Sequence, residues 1–482
     1  MNSIFNYIKF ISLAFAFLGM SYSAISNNLV IDSVQVSNDT IFFNISWENS
    51  WRTINPITHQ ACNYDAVWVF VKQKDCASGE WTHLDLDSSV LSHSTNNSNV
   101  EVYVDKNKDF KGVFVQRDSI SDGTGDIVNV KIALKMKTPV INTTVKVFGI
   151  EMVRINDGAY YLGDGSATSR FCDGGDVNSP FLINTNLIIP VGLVAGQLSA
   201  SSVATRPVGN IPRAYPKGFF AFYCMKYEIT QGQYADFLNN INPDQANVRY
   251  YIGAINNYTI SGSWPNIAAS SPHRAVNFLS WADFCAYLDW ACLRPMSELE
   301  YEKICRGDSI MPTANEYAWG TNIITDANTV EAGTLGNDNE NVTNFIALGG
   351  GIANYNNNGI IGPLRAGFPA KTATSRIERG ETYYGVSEMS GNVIEYCVNT
   401  DLTGITYNGA LGDGSLTYLP STGYGFANQG WPSETIDVGA GNGVSGKGGS
   451  TAQGAQYLEI ANRIYFSFDR TRLLYKGGRG VR

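Results

Sequence analysis

Two carboxylates flank a short glycine-containing turn in the last quarter of the chain. In the segment SEMSGNVIEY, Glu388 and Glu395 stand within eight consecutive residues. Calcium takes about six to eight oxygen ligands in proteins, and a tight turn that offers carboxylates and backbone carbonyls supplies several of them at once. The spacing therefore predicts a calcium site. The alternative is a pair of solvated carboxylates that flank a strand.

The amino-acid composition limits the classes of partner that the protein can bind. The 482-residue chain carries 34 Lys and Arg against 43 Asp and Glu, a formal net charge of -9. This balance argues against electrostatic capture of nucleic acid or of an anionic lipid surface. Charged residues make up only 16% of the chain, which suits strands and hydrogen-bonded loops better than helical bundles. The length predicts more than one domain.

The N-terminal residues have the pattern of an export signal. Lys9 precedes an apolar run from Phe10 to Met20, and small residues follow as far as Ala24. A positive residue, a short apolar core and small residues at the end are typical of a cleaved secretory signal peptide. We therefore predict a signal peptide over residues 1–24, no transmembrane segment in the mature chain, and a secreted, periplasmic or cell-surface location. The alternative is a membrane anchor or a buried helix, for which the run is short.

The eight cysteines can form disulfides if the chain is exported, because an oxidising compartment permits them. Cys62 and Cys76 are the only cysteines before residue 150. We expect these two to pair with each other if that region is an independent domain. For the other six, connectivity is open, and the alternative to a disulfide is a free, buried thiol.

Residues 27–145 are predicted to form an all-β sandwich. Apolar residues alternate in TIFFNISWEN and in DIVNVKIALKM, as they do in strands with one buried face. The segment AVWVFVKQK is apolar on both faces, as in a central strand. The residues expected on the buried face of DIVNVKIALKM are Val128, Val130, Ile132, Leu134 and Met136.

Three helices are predicted farther along the chain. Thr230 with Gln233, and Ser297 with Glu300, have the spacing of a capping box ahead of apolar residues at helical intervals. Between them, SWADFCAYLDWA has apolar residues at helical spacing. The aromatic residues of this region are predicted to be core residues rather than a carbohydrate-stacking set; they are Trp281, Trp290, Tyr301 and Trp319.

The order of these segments resembles the formylglycine-generating enzyme, or sulfatase-modifying factor, family. GIEMVRINDGAYYLGDG is similar to the opening strand pair, CMKYEITQGQYADFL to the first helix, and AVNFLSWADFCAYLDWACLRPMSELEYEKICRG to the central helical pair. NEYAWG resembles the Trp-Gly turn, GVSEMSGNVIEYCVN the metal-associated segment, and KGGS and GGRGVR the final strand signals. Several motifs in the right order are far more specific than one. The resemblance implies a loop-rich, C-type-lectin-like α+β domain over residues 146–482.

The resemblance also implies a ligand set for the metal. It assigns the side chains of Glu388 and Glu395 and the carbonyls of Gly391 and Val393 to calcium. Glu388 stands where Asp or Asn is more usual, which adds a methylene group and weakens the match.

A second, weaker metal site is implied in ANYNNNG. It would use Asn354 and the carbonyl of Tyr355, but the acidic residue expected downstream is not evident in the sequence.

The residues that the family uses for catalysis are missing. Its active members hold copper between two cysteines shortly after the GGS signal, because copper(I) prefers soft thiolate ligands. Gln453 and Leu458 stand at these two positions, and no cysteine follows Cys397. A related branch uses iron held by three histidines, but His273 is the only histidine after residue 150. We therefore predict no catalytic residue and no copper.

Two functions of different classes remain. The first is a catalytically silent binding or structural module, a pseudoenzyme whose ligand is an unknown protein or carbohydrate, with residues 453–474 as one possible recognition face. The alternative is a copper-dependent formylglycine-generating oxidase, or another oxidoreductase that uses the same pocket. The missing cysteines favour the first.

Overall fold

The computed structural model describes most of the chain after the N-terminal segment. The described residues are 28–55, 61–76, 78–104, 109–119, 122–141, 143–166, 169–337, 339–368, 373–416, 428, 430–432, 443–468 and 471–482. The predicted signal peptide, residues 1–24, lies outside them. Within these ranges, no helix has both the length and the apolar character that crossing a bilayer requires.

The N-terminal third is built from strands. In chain order they are β1 (Val30–Ser37), β2 (Thr40–Ile54), β3 (Ala61–Asp75), β4 (Trp81–His83), β5 (Ser94–Thr95), β6 (Val100–Tyr103), β7 (Val113–Arg117), β8 (Gly123–Lys135) and β9 (Thr143–Ile155). The long strands pair antiparallel, β8 with β2 and β9 with β3. β2 and β3 meet only near residues 52–54 and 61–64. The alternating residues of β2 and β8 share one apolar core with β3 and β7.

The buried face of β8 differs from the sequence prediction at one residue. Val128 was expected inside, but it is 70% exposed, and Ile127 is buried instead. The register between β2 and β8 shifts after Ile45, and Asn129 has a positive φ of 52°. A bulge of this kind inserts a residue and reverses the alternation on one side of it. The remaining predicted residues, from Val130 onward, are buried as expected.

β3 is buried on both faces for two different reasons. Val67, Val69 and Val71 face the N-terminal core. Trp68 and Phe70 lie in a second core together with the helices of the C-terminal part. The two-sided apolar pattern therefore marks a strand that lies between two hydrophobic cores.

The sheet continues across the predicted domain boundary. β9 begins before residue 146 and ends at Ile155, and it pairs with both β3 and the C-terminal strand β14 (Phe222–Met225). Strand pairing therefore links the two predicted domains, residues 27–145 and 146–482, in one sheet. The boundary between them remains a prediction.

The C-terminal part combines short strands with helices. The other strands are β10 (Tyr160–Leu162), β11 (Phe171–Asp173), β12 (Phe181–Ile183), β13 (Leu198–Ala200), β15 (Ile260–Ser261), β16 (Ala268–Ala269), β17 (Arg294–Pro295), β18 (Ile324–Asp326), β19 (Gly351–Ala353), β20 (Ile394–Val398), β21 (Val444–Lys447), β22 (Lys476–Gly477) and β23 (Gly480–Val481). The α-helices are α1 (Gln231–Asn239), α2 (Pro243–Arg249), α3 (Trp281–Trp290) and α4 (Glu298–Arg306).

The helix predictions are confirmed in position and in capping. Thr230 and Ser297 each accept a hydrogen bond from the backbone of the third helical residue, which completes the capping boxes of α1 and α4. α3 begins after Ser280, which forms a third capping box. α2 was not predicted. The four aromatic residues named above are at most 4% exposed, which makes them core residues, and the described chain as a whole is rich in strands with few helices.

Candidate functional site

The metal-associated segment forms a tight turn that leads into β20. Glu388, Gly391 and Asn392 have positive φ angles of 57°, 102° and 64°. A side chain at Gly391 would approach the carbonyl oxygen of Asn354 to 2.8 Å, so glycine is required there for both conformation and space. The turn places both predicted carboxylates in the interior. Glu388 is 9% exposed and Glu395 is fully buried, which excludes the alternative of two solvated carboxylates.

Glu395 is held by an arginine from the end of the chain. Nε of Arg479 lies 2.9 Å from both carboxylate oxygens of Glu395, and Nη1 of Arg479 donates to the carbonyls of Met225 and Lys226 at 3.3 and 3.1 Å. Neither Glu395 nor Arg479 is accessible to solvent. Burial acts to lower the pKa of Arg479, but the facing carboxylate outweighs it and raises that pKa.

A third carboxylate, Glu228, joins this cluster. Its Oε1 accepts the backbone N–H of Val393 at 3.1 Å, and its Oε2 accepts the side-chain amide of Asn392 at 2.5 Å. Sequence reasoning missed Glu228 because it precedes the capping box of α1 by two residues and carries no motif of its own. Glu228 is far from the turn in sequence, and only the folded structure brings the two together.

Burial governs the protonation of all three carboxyl groups. It raises the pKa of Glu388 to about 7 and the pKa values of Glu228 and Glu395 above their ordinary range. The positive charge of Arg479 opposes the rise in each case. Arg479 therefore lies near three buried carboxyl groups, and Arg365 adds a second positive charge near Glu388.

The fit of this cluster to calcium depends on Glu388. Its Oε1 accepts the backbone N–H of Gly367 at 2.9 Å, whereas its Oε2 is buried without a hydrogen-bond partner. An unpaired buried carboxylate oxygen is costly, and it is the donor that a hard cation prefers. Glu395 shares its oxygens with Arg479, so a cation would have to share that carboxylate. In the described part of the chain, no set of three His, Cys, Asp or Glu side chains is arranged as a metal centre.

The second predicted metal site gains an acidic neighbour from upstream. Asn354 is buried, and its amide donates to Gly362 and Asn392 at 3.1 Å each. Asp326, at the end of β18, pairs in register with Ala353, which places it beside Tyr355. The sequence prediction looked for an acidic residue downstream, whereas the parallel pairing of β18 with β19 brings one from the other direction.

The two positions that the resemblance aligns with the family's cysteines differ in burial, because Leu458 is buried and Gln453 is partly exposed. Leu458 is fully buried in a cluster with Tyr301, Met389 and Cys397, and its carbonyl accepts the hydroxyl of Ser390 at 2.8 Å. The amide of Gln453 donates to the hydroxyl of Tyr465. None of the four cavities described in this structure is lined by Gln453 or Leu458.

No two of the eight cysteines are joined by a disulfide, and all eight lie in the described residues. The expected pair of Cys62 and Cys76 is wrong. Cys62 lies at the start of β3 and Cys76 directly after its end. A strand rises about 3.3 Å per residue, which separates the two residues by about 46 Å, whereas the Cα atoms of a disulfide lie within about 7 Å.

These features define a loop-rich α+β domain in which a buried Glu and Arg cluster organises the C-terminal strands. The family profile described as sulfatase-modifying factor enzyme 1-like domain matches residues 182–472. This range is more than half of the 482 residues, and the chain belongs to that family. The resemblance inferred from the motifs is thereby confirmed. No curated protein matches the chain.

Proposed function

We propose that the protein is an exported, catalytically silent member of the sulfatase-modifying factor family that acts as a binding or structural module at the cell surface or outside the cell. The observation that carries this proposal is the state of the two side chains that the resemblance aligns with the family's cysteines. Leu458 contributes no metal donor and is buried, and Gln453 offers an amide that is already bonded to Tyr465.

The chemistry of copper explains why Gln453 and Leu458 bear on whether the protein is an oxidase. Oxidation of a substrate cysteine needs a metal that activates oxygen beside the thiol, and copper(I) requires soft ligands such as thiolates. An amide is a hard donor. The stretch from Val398 to Arg482 contains neither cysteine nor histidine, so a shift of a few residues in the correspondence supplies no replacement.

The proposal includes a lectin-like arrangement of residues 146–482, an N-terminal β-sandwich over residues 27–145, and structural calcium at the turn before β20. Calcium is supported by the unpaired Oε2 of Glu388, and oxygen donors suit this ion. We assign no catalytic step to it.

The catalytic part of the proposal is tested with a cysteine-containing sulfatase peptide. The purified mature protein is incubated with the peptide, copper and a reductant under air, beside an active member of the family as a positive control. We expect the peptide mass to remain unchanged with this protein and to shift with the control. Turnover that disappears when Cys224 or Cys397 is replaced would instead establish the alternative function, an oxidase with a relocated copper site.

Export is tested separately by the intact mass of the protein from its native host. We expect the mature chain to begin between Ala24 and Asn28, where the small residues after the apolar run would be cleaved. A mass that includes Met1 would contradict export by this route.

A further inference from the structure

A cavity of 650 Å³ opens where the N-terminal sheet meets the C-terminal part of the chain. One wall comes from β3 and β7, and the other from residues 213–223 and the chain end at Arg482. Sites for small ligands usually have volumes of about 300–1,000 Å³ and often lie where two structural units meet. The position is separate from the turn before β20 and from Gln453 and Leu458, none of which lines it.

Positive charge predominates in the lining. Six cationic side chains face two acidic ones, Glu101 and Glu300; the cationic residues are Arg52, Arg154, Arg213, Lys217, Arg294 and Arg482. Arg294 holds Glu300 with two hydrogen bonds of 2.7 and 2.8 Å. Because the whole chain has a net charge of -9, this concentration of cations is a local feature.

Part of this positive charge is not paired with an acidic side chain in the described part of the chain. Among the described residues, Arg482 is paired with Asp109, and Arg52 lies 3.9 Å from Glu101, but Arg154 and Arg213 form no ion pair with an acidic side chain. Arg52 is 4% exposed, and its Nε has no hydrogen-bond partner. An unpaired buried guanidinium nitrogen is costly, and an oxyanion would satisfy it.

The ammonium group of Lys217 adds to the positive wall. The residue is 1% exposed, and its Nζ donates only to backbone carbonyls in the described structure, among them those of Arg213 and Tyr215 at 3.2 Å each. These bonds fix the ammonium group without neutralising its charge.

Aromatic faces stand beside these cations. Tyr223 stacks on Phe114 with ring centroids 3.9 Å apart, and its hydroxyl donates to Gln116 at 3.2 Å. At the rim, Phe220 is 61% and Tyr103 is 42% exposed. The side-chain amides of Asn186 and Asn408 also line the cavity, and an amide both donates and accepts hydrogen bonds.

We propose that this cavity binds an acidic saccharide, with a carboxylate or sulfate group on the arginines, the carbon face of a sugar ring against the rim aromatics, and hydroxyl groups on the amides. The assignment rests on the proposed function, since it gives the silent module its ligand class. Arginine forks match the planar geometry of carboxylates. A neutral sugar would leave the guanidinium groups unsatisfied, and a purely apolar ligand would leave both these groups and the amides unpaired.

Calorimetric titration of the mature protein tests the assignment with three probes of one size. They are a disaccharide of two uronic acids, a sulfated disaccharide and a neutral disaccharide. We expect one or both acidic probes to bind and the neutral probe to bind at least about tenfold more weakly, because a charge-assisted hydrogen bond is roughly twice as strong as a neutral one. The preferred acidic probe identifies the oxyanion.

Two variants locate the site, and one matched variant controls for charge. Arg213 and Phe220 are exposed, so Arg213→Ala and Phe220→Ala are expected to leave the melting temperature unchanged while each weakens binding of the acidic probe by about tenfold. Lys137→Ala removes one exposed positive charge outside the cavity, and we expect its affinity to stay within about twofold of the parent.

Three results would overturn the assignment: no binding of either acidic probe at millimolar concentration, equal binding of the neutral probe, or equal losses in Arg213→Ala and Lys137→Ala. Each of these leaves the silent-module proposal standing if the sulfatase peptide remains unmodified. Formation of formylglycine would overturn the proposed function whatever the titration shows.

Discussion

Two regions of this molecule differ in how their arginine side chains are paired. Leu458 and Glu395 are fully buried, and the Glu395 carboxylate is paired with Arg479. In the cavity beside the N-terminal sheet, space is open, and the guanidinium groups of Arg154 and Arg213 have no acidic partner in the described structure. The first arrangement stabilises a fold, whereas the second is suited to a ligand.

Under the proposed function, this difference indicates which part of the chain would bind a ligand. The first region contains Gln453 and Leu458, the positions that the resemblance aligns with the family's cysteines. The open region depends on strands that precede the family match at residue 182, because Trp68 and Phe114 belong to β3 and β7. A ligand site there needs the N-terminal strands and the C-terminal part together.

The largest expected effect comes from breaking the buried charge pair. Replacing Arg479 with Ala leaves Glu395 buried without its partner, and the loss of one member of a buried pair typically costs about 3–5 kcal/mol. Urea unfolding of Arg479→Ala should therefore show a large drop in the free energy of unfolding. The matched variant Arg213→Ala should change it by no more than about 0.5 kcal/mol. Similar decreases in the free energy of unfolding of both variants would contradict the proposed difference between the two regions.

The second largest effect is expected at Leu458 and tests how tightly this residue is packed. Leu458→Ala should lower the free energy of unfolding by about 2–5 kcal/mol, since it leaves a cavity in a filled core. Gln453→Ala loses a hydrogen bond at a partly exposed residue and should cost about 1 kcal/mol. The urea midpoints of the two variants provide the measurement. A small effect of Leu458→Ala would mean that this position is open enough to hold a ligand.

The sequence predicted the parts of this picture that depend on local patterns. The capping boxes at Thr230 and Ser297 located two helices, and the ordered motifs located the family domain. Arg479, which pairs with Glu395, and Glu228, which accepts from Asn392 and Val393, could not be found in this way. Both come from distant segments with no spacing rule to connect them. The cavity likewise combines residues from β3 to Arg482, which only the three-dimensional structure brings together.

A smaller effect is expected from calcium. An ion that binds only the folded state stabilises that state by about 2.7 kcal/mol when the free ion concentration is a hundred times the dissociation constant. A chelator should lower the melting temperature of the parent protein and leave that of Glu388→Gln unchanged, because Gln replaces a carboxylate oxygen with a weaker donor in nearly the same shape. Identical melting curves of the parent with and without chelator would mean that the turn folds without calcium.

The smallest expected effect concerns His83, a buried histidine close to the positive charges of Lys72, Lys111 and Arg482. Its ring stacks on Phe70 with centroids 6.3 Å apart, and Nε2 lies 2.8 Å from the carbonyl oxygen of Lys111. Burial of the ring lowers the pKa of His83 well below its ordinary value, and the nearby positive charges of Lys72 and Arg482 lower it further.

The sign of the pH effect follows from this depressed pKa. Below about pH 6.5 the unfolded chain binds a proton at His83 that the folded chain does not, so the free energy of unfolding falls as the pH decreases, by at most about 1.4 kcal/mol per pH unit. His83→Gln keeps a side chain able to donate to the Lys111 carbonyl but does not titrate. We therefore expect the free energy of unfolding, measured with urea between pH 7 and pH 5, to change less with pH in the variant than in the parent. The difference corresponds to at most one proton per molecule. Parallel slopes would show that the folded protein accepts the proton, which would contradict a strongly positive, poorly solvated environment around His83.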